Sequence, residues 1–136
     1  MKSLLVLCTG NSCRSQIAEG YLKQYLPNWN IYSAGVETHG LNPKAVEVMA
    51  MDDIDISNHQ SDLVDDYLEK NITHVLTVCD HANEVCPVFP KNAIKFHNNF
   101  PDPAKTTGSP EEVMDQFIMV RNMIKQYCQD LANKLS

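Results

Sequence analysis

A cysteine and an arginine with five residues between them stand near the start of the chain, in the segment Cys8-Thr9-Gly10-Asn11-Ser12-Cys13-Arg14-Ser15. If this segment curls into the N-terminus of a helix, several of its backbone N–H groups point inward, and the helix dipole adds positive potential there. The forked guanidinium of Arg14 would bind the same anion through paired hydrogen bonds. We therefore predict a cradle for a tetrahedral oxyanion, formed by Thr9, Gly10, Asn11, Ser12, Cys13 and Arg14.

Cys8 lies at the base of this predicted cradle. The helix N-terminus and the arginine favour its thiolate form, which is a nucleophile ready to attack the bound centre. Ser15 is expected to donate a hydrogen bond to the thiolate, Asn11 to brace the loop, and Gly10 to permit a tight, left-handed turn. The plainer alternative is a buried, inert thiol at the end of a strand, and Cys13 is expected to be a thiol of that inert kind.

Apolar patterning predicts the elements that position this loop. Apolar runs predict strands at residues 3–8, 30–33, 74–79 and 94–97. Helical spacing predicts helices at residues 14–26, 43–51, 63–68 and, as a short helical or looped piece, 82–85. Ser61-Asp62 is the predicted cap of the third helix. A long final helix begins at Ser109-Pro110-Glu111-Glu112, which supplies an N-cap, a proline at the first helical position and a capping-box glutamate.

Strands that alternate with helices in a short chain predict an open parallel α/β sheet with right-handed crossovers. The length of 136 residues fits one domain, predicted to span residues 1–136. The 17 acidic residues outnumber the 11 basic ones, and this balance disfavours a nucleic-acid partner, because phosphate contacts are made by lysine and arginine. No apolar run approaches the roughly 20 residues of a membrane span, and the apolar start is too short for a signal peptide. We expect a cytoplasmic monomer with no membrane partner.

The cysteines are five in number, which does not suit a structural disulfide framework in a reducing compartment. Four residues separate Cys8 from Cys13 and six separate Cys79 from Cys86, and neither spacing is typical of a zinc site. The roles that remain for these thiols are packing, or redox and nucleophilic chemistry. Cys128 lies on the apolar face of the final helix and is expected in the core. The five histidines show no ligand spacing and are expected in loops or exposed to solvent.

The segment CTGNSCRSQIAEG resembles the phosphate loop of the low-molecular-weight protein tyrosine phosphatases. It resembles still more closely the loop of the thioredoxin-coupled arsenate reductases, which share that fold. The resemblance continues through YSAGVETHGLNPKAVEVM, DIDISNHQSD, VLTVCDHANEVCP and FPDPA, and so covers nearly the whole chain. It implies a four-stranded parallel sheet in the order 2-1-3-4, flanked by helices. It also implies arsenate as substrate, thioredoxin as reductant and no bound organic cofactor.

The resemblance implies that Cys79 and Cys86 are the second and third thiols of a reduction relay that begins at Cys8. The implied topology agrees, because Cys8 and Cys79 would end neighbouring strands about 5 Å apart, near disulfide range. Two unrelated core thiols are the alternative. If residues 80–86 are helical in the reduced enzyme, the Cα atoms of Cys79 and Cys86 lie roughly 10 Å apart along the axis. The helix must then unwind before these two cysteines can bond.

Asp102-Pro103 matches the family position of the general acid, a carboxyl group that protonates the leaving oxygen. An ordinary turn aspartate is the alternative. The phosphatases typically carry aromatic residues after this pair, whereas Ala104-Lys105 follows here, so an aryl phosphate has little to stack on. Pro101 stands where the reductases carry a second aspartate, and Asn98-Asn99 replaces a Trp-Gly pair.

Two further functions are compatible with the sequence. One is a phosphatase that uses Cys8, Arg14 and Asp102 on phosphomonoesters without the relay. The other is a non-catalytic oxyanion sensor. Some reductases of this family also hold a potassium ion near the loop, and the matching residues are Asn11, Glu19, Ser33 and Asp62.

Overall fold

The computed structural model describes residues 2–87, 89 and 92–136. One sheet of four parallel strands, in the order β2-β1-β3-β4, contains β1 (Ser3–Cys8), β2 (Asn30–Gly35), β3 (His74–Thr77) and β4 (Ile94–His97). The helices are α1 (Arg14–Tyr25), α2 (Pro43–Ala50), α3 (Asp80–Val85) and α4 (Pro110–Leu135), with short 3₁₀ turns at Val64–Tyr67 and Pro103–Lys105. The predicted α/β class and strand order are confirmed.

Strand β1 lies between β2 and β3, and all six of its residues are buried. Its uninterrupted apolar sequence follows from this position, because a central strand of a parallel sheet is covered on both faces. Near its end, Leu7 pairs with Ala34 of β2 and Thr77 of β3. The carboxyl ends of three strands therefore meet where the Cys8 loop begins, which is where open α/β sheets place their ligands.

Helix α4 begins as the sequence predicts. The Ser109 hydroxyl accepts the Glu112 N–H at 3.2 Å, and the Glu112 carboxylate accepts the Ser109 N–H at 3.2 Å, which completes a capping box. The helix packs against α1, and its buried residues recur every three or four positions. Cys128 is one of them, and burial raises the pKa of its thiol. It is a core residue, as predicted.

Two local predictions are wrong, the capped third helix and the end of the third strand. The third predicted helix is only the 3₁₀ turn Val64–Tyr67, and Ser61 and Asp62 do not cap it. The Ser61 hydroxyl instead donates to the Gly10 carbonyl at 3.0 Å, and the Asp62 carboxylate accepts the Tyr67 hydroxyl at 2.8 Å. Strand β3 also ends at Thr77, before Cys79, because the chain turns there into α3.

His74 departs from the expectation that the histidines are exposed or in loops. It lies inside β3 and is buried, with Nδ1 2.8 Å from the Thr73 hydroxyl. Desolvation lowers the pKa of its imidazole. Among the helices of the described residues, none has both the length and the apolar character that a bilayer crossing requires.

Candidate active site

The predicted cradle is the connection between β1 and α1. Helix α1 begins at Arg14, and Cys13, its N-cap residue, makes no side-chain cap hydrogen bond. The helix N-terminus is thus free to face an anion. The left-handed residue of the loop is Asn11, with φ 48°, and the prediction that Gly10 takes this role is wrong. Asparagine tolerates the left-handed region because its short polar side chain bonds locally.

A second segment holds the outer side of the loop. Backbone N–H groups of residues 36–42 donate to loop carbonyls over 2.9–3.2 Å, in the pairs Val36–Cys8, Glu37–Thr9, His39–Gly10 and Asn42–Ser12. In the backbone hydrogen bonds between the loop and the rest of the described chain, the loop contributes carbonyl groups as acceptors. The backbone N–H groups of Gly10, Ser12, Cys13 and Arg14 donate no such bond within the described residues. With its carbonyls tied outward, the loop presents N–H groups to a ligand on its concave side.

Cys8 sits at the base of the cradle with its Sγ 2.9 Å from the Ser15 hydroxyl oxygen. A third residue positions the serine. The Asn11 amide donates to the Ser15 oxygen at 2.8 Å and also to the Ser33 hydroxyl at 2.9 Å. Ser15 accepts from Asn11 and keeps its own hydrogen for donation, and when Cys8 is ionised that hydroxyl is the donor that stabilises the thiolate. The roles predicted for Ser15 and Asn11 are consistent with this geometry.

Arg14 and Asp102 face each other across the mouth. The Arg14 Nη1 donates to the Phe100 carbonyl at 2.9 Å, and its Nη2 lies 3.8 Å from the Asp102 Oδ2. The other oxygen of Asp102 accepts the Ala104 N–H at 3.0 Å. The loop that carries the aspartate is thereby aligned with the arginine, and Asp102 lines the same cavity as Cys8 and Arg14.

These residues enclose a cavity of about 340 Å³, lined by Cys8, Thr9, Gly10, Ser12, Cys13, Arg14, His39, Asp102, Ala104 and Lys105. A larger cavity, of about 540 Å³, lies beside the C-terminal ends of α1 and α4. Its lining consists mainly of amide side chains and includes neither a thiol nor a guanidinium. The chemistry of the chain therefore belongs to the smaller cavity.

The three remaining thiols of interest lie at different distances from this chemistry. Cys79 is buried at the N-terminus of α3, and its Sγ is 3.3 Å from the Thr9 hydroxyl of the cradle. Cys86 ends α3 and is half-buried, and burial raises the pKa of its thiol. Cys13 is buried, and desolvation followed by the charge of Asp102 raises its pKa to about 12, so it stays a thiol. The expectation that Cys13 is packed and inert fits this environment.

Three of the four residues matched to a potassium site, Asn11, Glu19 and Ser33, are buried and hydrogen-bonded together, and the half-buried Asp62 joins them through its backbone. The Ser33 hydroxyl donates to the Glu19 carboxylate at 2.5 Å and accepts from Asn11 at 2.9 Å. The Asp62 N–H donates to the Asn11 amide oxygen at 2.8 Å. Glu19 also contacts the Lys23 ammonium at 2.6 Å. Within the described residues no group of three or more His, Cys, Asp or Glu side chains is arranged to hold a metal ion.

Sequence reasoning missed two residues at the site, Gly35 and His39. A Cβ on Gly35 would lie 2.7 Å from the Thr9 carbonyl oxygen and 2.8 Å from the Asn11 nitrogen, so the end of β2 touches the cradle backbone. His39 and Lys105 line the cavity. Gly10 is required by His39, because a Cβ there would lie 2.4 Å from the imidazole Nδ1. No local pattern marks these contacts.

We expect Gly35→Ala to distort the cradle. The new methyl group meets backbone atoms rather than flexible side chains, so relief requires the loop to move. An overpacked site typically costs about 1–3 kcal/mol of unfolding free energy, and a displaced catalytic loop costs about a hundredfold in turnover. Urea unfolding and kcat/KM measure the two effects.

Gly108→Ala is the matched control. Gly108 has a φ of +128°, and a Cβ there would meet the Glu112 side chain outside the cavity, so alanine there should cost stability without loss of turnover. Equal turnover in Gly35→Ala and the unmodified chain would show that the close approach of Gly35 does not shape the cradle.

The sheet order and the cysteine–arginine loop together define a phosphate-loop enzyme class, and comparison with known proteins agrees. The chain belongs to the low molecular weight phosphotyrosine protein phosphatase family, whose model matches residues 3–136. It is 52% identical over 125 residues to an arsenate reductase of Staphylococcus aureus (strain Newman), with 91% of each chain covered. It is 49% identical over 128 residues to arsenate reductase 2 of Staphylococcus saprophyticus, covering 93% of this chain and 95% of that one. A solved structure described as an arsenate reductase in the phosphate binding state superposes over the full length of both chains, with a TM-score of 0.85 and 28% identity.

Proposed function

We propose that this protein reduces arsenate to arsenite, with Cys8 as the nucleophile. The observation that carries the proposal is a second thiol beside the oxyanion cradle, because the Cys79 Sγ lies 3.3 Å from the Thr9 hydroxyl. Hydrolysis of a phosphomonoester uses one thiol, whereas a two-electron reduction needs a second thiol within reach of the first. The arsenate reductases that are 52% and 49% identical to this chain support arsenate as the substrate.

The first step is nucleophilic substitution at arsenic. Loop N–H groups and the Arg14 guanidinium bind the oxygens of arsenate, and the Cys8 thiolate attacks the arsenic atom. The Ser15 hydroxyl, 2.9 Å from the Cys8 sulfur, holds the thiolate until the S–As bond forms. Asp102 transfers its proton to the departing oxygen, which leaves as water.

Replacement of Asp102 by asparagine tests this acid. The asparagine keeps an oxygen that can accept the Ala104 N–H, now 3.0 Å from Asp102 Oδ1, so the loop should persist while the proton donor is lost. We expect kcat for arsenate to fall by about 10²–10⁴. Asp115→Asn on the exposed face of α4 removes the same charge far from the cavity. An Asp102→Asn enzyme as fast as this control would exclude Asp102 as the acid.

The second step is the thiol relay. The Cys79 thiolate attacks the Cys8 sulfur, the S–As electron pair passes to arsenic, arsenite leaves, and a Cys8–Cys79 disulfide forms. Cys86 then attacks the Cys79 sulfur, which releases Cys8 as a thiolate and leaves a Cys79–Cys86 disulfide. Arsenic gains two electrons and two thiols lose them, so the sequence balances. An external dithiol protein restores the two thiols, and we propose thioredoxin.

Helix α3 has to change shape during the relay. Cys79 precedes the helix and Cys86 ends it, so their Cα atoms lie roughly 10 Å apart along the axis, beyond the limit for a disulfide. The Asp80 carboxylate accepts from the His97 Nε2 at 2.8 Å and the Asp80 N–H donates to the Asn99 side chain at 3.1 Å. These bonds hold the Cys79 end, so we propose that unwinding begins at the Cys86 end. The same bonds must then break for the new disulfide to move toward the surface.

We further propose that potassium binds the cluster of Asn11, Glu19, Ser33 and Asp62. Its oxygen atoms are of the kind that hard cations prefer, and the Asn11–Ser33–Glu19 hydrogen bonds bring them together. The Lys23 ammonium already supplies part of the counter-charge for Glu19. A bound ion would brace Asn11, and through it Ser15.

Potassium should therefore raise the thermal unfolding midpoint above the value in sodium at equal ionic strength. An ion at 100 times its Kd contributes about 2.7 kcal/mol. Glu19→Gln should abolish the difference, whereas Glu69→Gln, at an exposed position, should preserve it. Identical unfolding midpoints in the two salts would contradict the proposed potassium site.

Phosphatase activity is the second candidate, because the same cradle and acid suit phosphate and the chain belongs to a phosphatase family. Ala104 and Lys105 line the mouth where an aryl group would stack. We therefore expect slow hydrolysis of p-nitrophenyl phosphate, retained in Cys79→Ser. The same variant should release no arsenite through the relay.

A coupled assay tests the proposed function. Arsenate should drive NADPH oxidation by thioredoxin reductase when this protein and thioredoxin are both present. The assay adds no further cofactor, because we propose a monomeric cytoplasmic enzyme with no organic cofactor. Absence of oxidation with thioredoxin, glutaredoxin and small thiols would overturn arsenate reduction and leave the phosphatase or a non-catalytic sensor.

A further inference from the structure

The imidazole of His39 is seated against the oxyanion cradle. Its backbone N–H donates to the Gly10 carbonyl at 2.9 Å. A Cβ added to Gly10 would lie 2.4 Å from the ring Nδ1 and 2.7 Å from Cγ, so the ring covers the backbone at the position where glycine stands. His39 also lines the cavity that contains Cys8 and Arg14. The ring is thus a wall of the substrate cavity.

Glu37 orients this ring. Its carboxylate lies 2.7 Å from the His39 Nε2, so Nε2 carries a hydrogen and donates it. The Glu37 N–H also donates to the Thr9 carbonyl at 2.9 Å, which fixes both residues of the pair to the loop. With Nε2 engaged, Nδ1 is the ring nitrogen directed to the cradle. It is a lone-pair acceptor in neutral imidazole and a donor in imidazolium.

The charges around the cavity determine whether a bound anion favours the neutral or the protonated imidazole of His39. Arg14 and Lys105 are basic side chains, Asp102 and Glu37 are acidic ones, and all but Glu37 line the cavity with His39. A divalent oxyanion brings two further negative charges. It gains a charge-assisted hydrogen bond from imidazolium and repels the Nδ1 lone pair of the neutral ring.

We propose that His39, oriented by Glu37, is an additional oxyanion-binding residue that donates from Nδ1 to an outer oxygen of the substrate in its imidazolium form. The inference rests on the proposed function for the identity of the substrate, but the site itself is expected to bind any divalent tetrahedral oxyanion. His39 binds ground state and transition state alike, so it should affect KM more than kcat.

Sulfate is the probe, because it remains a dianion over the pH range in which histidine titrates. Cys8→Ser provides the background, since a serine removes the nucleophilic thiol. The other ionisable groups that face the imidazole are Glu37, Arg14, Asp102 and Lys105, and all four are retained in this background. Calorimetric titration of sulfate from about pH 5.5 to about 8.5, a range that brackets the ordinary histidine value, should show affinity that falls about tenfold as pH rises.

His39→Gln in this background should bind sulfate about tenfold more weakly at the low end of the range and show a flat pH profile. Glu37→Gln should weaken binding in the same direction, because it removes the partner of the imidazolium. His81→Gln, at an exposed position on α3, removes a histidine outside the cavity and should behave like the background. In the enzyme with Cys8 intact, His39→Gln should raise KM for arsenate and leave kcat unchanged.

A pH-independent sulfate affinity that His39→Gln leaves unaltered would overturn the role of His39 while leaving arsenate reduction standing. A fall in kcat with no change in KM would show that the ring only supports the loop, and would overturn it as well. Conversely, if this protein shows the pH-dependent sulfate binding but reduces no arsenate, the role of His39 in anion binding stands and the proposed function fails.

Discussion

Cys86→Ser is expected to release about one equivalent of arsenite per enzyme and then stop as a Cys8–Cys79 disulfide. Cys79 lies beside the cradle at 3.3 Å from the Thr9 hydroxyl, so the first disulfide needs no large movement. Without the third thiol, nothing within the enzyme releases Cys8. Multiple-turnover assays with thioredoxin should therefore show a burst followed by a negligible steady state.

Cys128→Ala is the matched control for this variant. It also removes one cysteine, but from the apolar core of α4, and the burst and steady state should both persist. Sustained thioredoxin-driven turnover by Cys86→Ser would show that Cys86 merely packs against its neighbours. Hydrogen exchange offers a separate test, because residues 80–86 should lose protection on oxidation if α3 unwinds.

Arg14→Lys is expected to lower kcat/KM by about 10²–10³ with the fold intact. The guanidinium holds the Phe100 carbonyl at 2.9 Å with Nη1 and extends Nη2 toward Asp102, so its plane is fixed across the cavity. A lysine ammonium keeps the charge but loses the planar pair of donors that follows two oxygens into the transition state. Steady-state kinetics and thermal unfolding separate loss of chemistry from loss of fold.

Arg121→Lys provides the comparison. Arg121 also donates to a backbone carbonyl, that of Val48 at 2.9 Å, but it lies outside the candidate active site. The Arg121→Lys variant should retain normal turnover. Near-normal kcat/KM in Arg14→Lys would exclude Arg14 as the oxyanion clamp.

Features encoded within a few neighbouring residues could be predicted from the sequence. The apolar run of β1 and the capping box at Ser109 are local signals, and both elements begin where predicted. The cradle is likewise contiguous, so its nucleophile, arginine and supporting serine were all identifiable. Helix α2 begins at Pro43, and a proline at the first helical position marks that start directly.

Features set by contacts between distant segments could not be predicted in this way. Gly35, at the end of β2, and His39, just after it, touch the cradle, and nothing in their immediate sequence indicates which backbone they approach. The left-handed residue of the loop is Asn11, whereas Gly10 is the residue against which the His39 ring packs. Ser61 likewise bonds to the Gly10 carbonyl instead of capping a helix.

The state of the five cysteines after a single turnover tests the relay most directly. Fully reduced enzyme is mixed with arsenate in the absence of any reductant, alkylated, and mapped by peptide mass spectrometry, while arsenite is counted in parallel. We expect about one arsenite per enzyme, a Cys79–Cys86 disulfide, and alkylated Cys8, Cys13 and Cys128. Arsenite release with all five thiols alkylated, or a disulfide that excludes Cys79, would show that the electrons do not come from this relay.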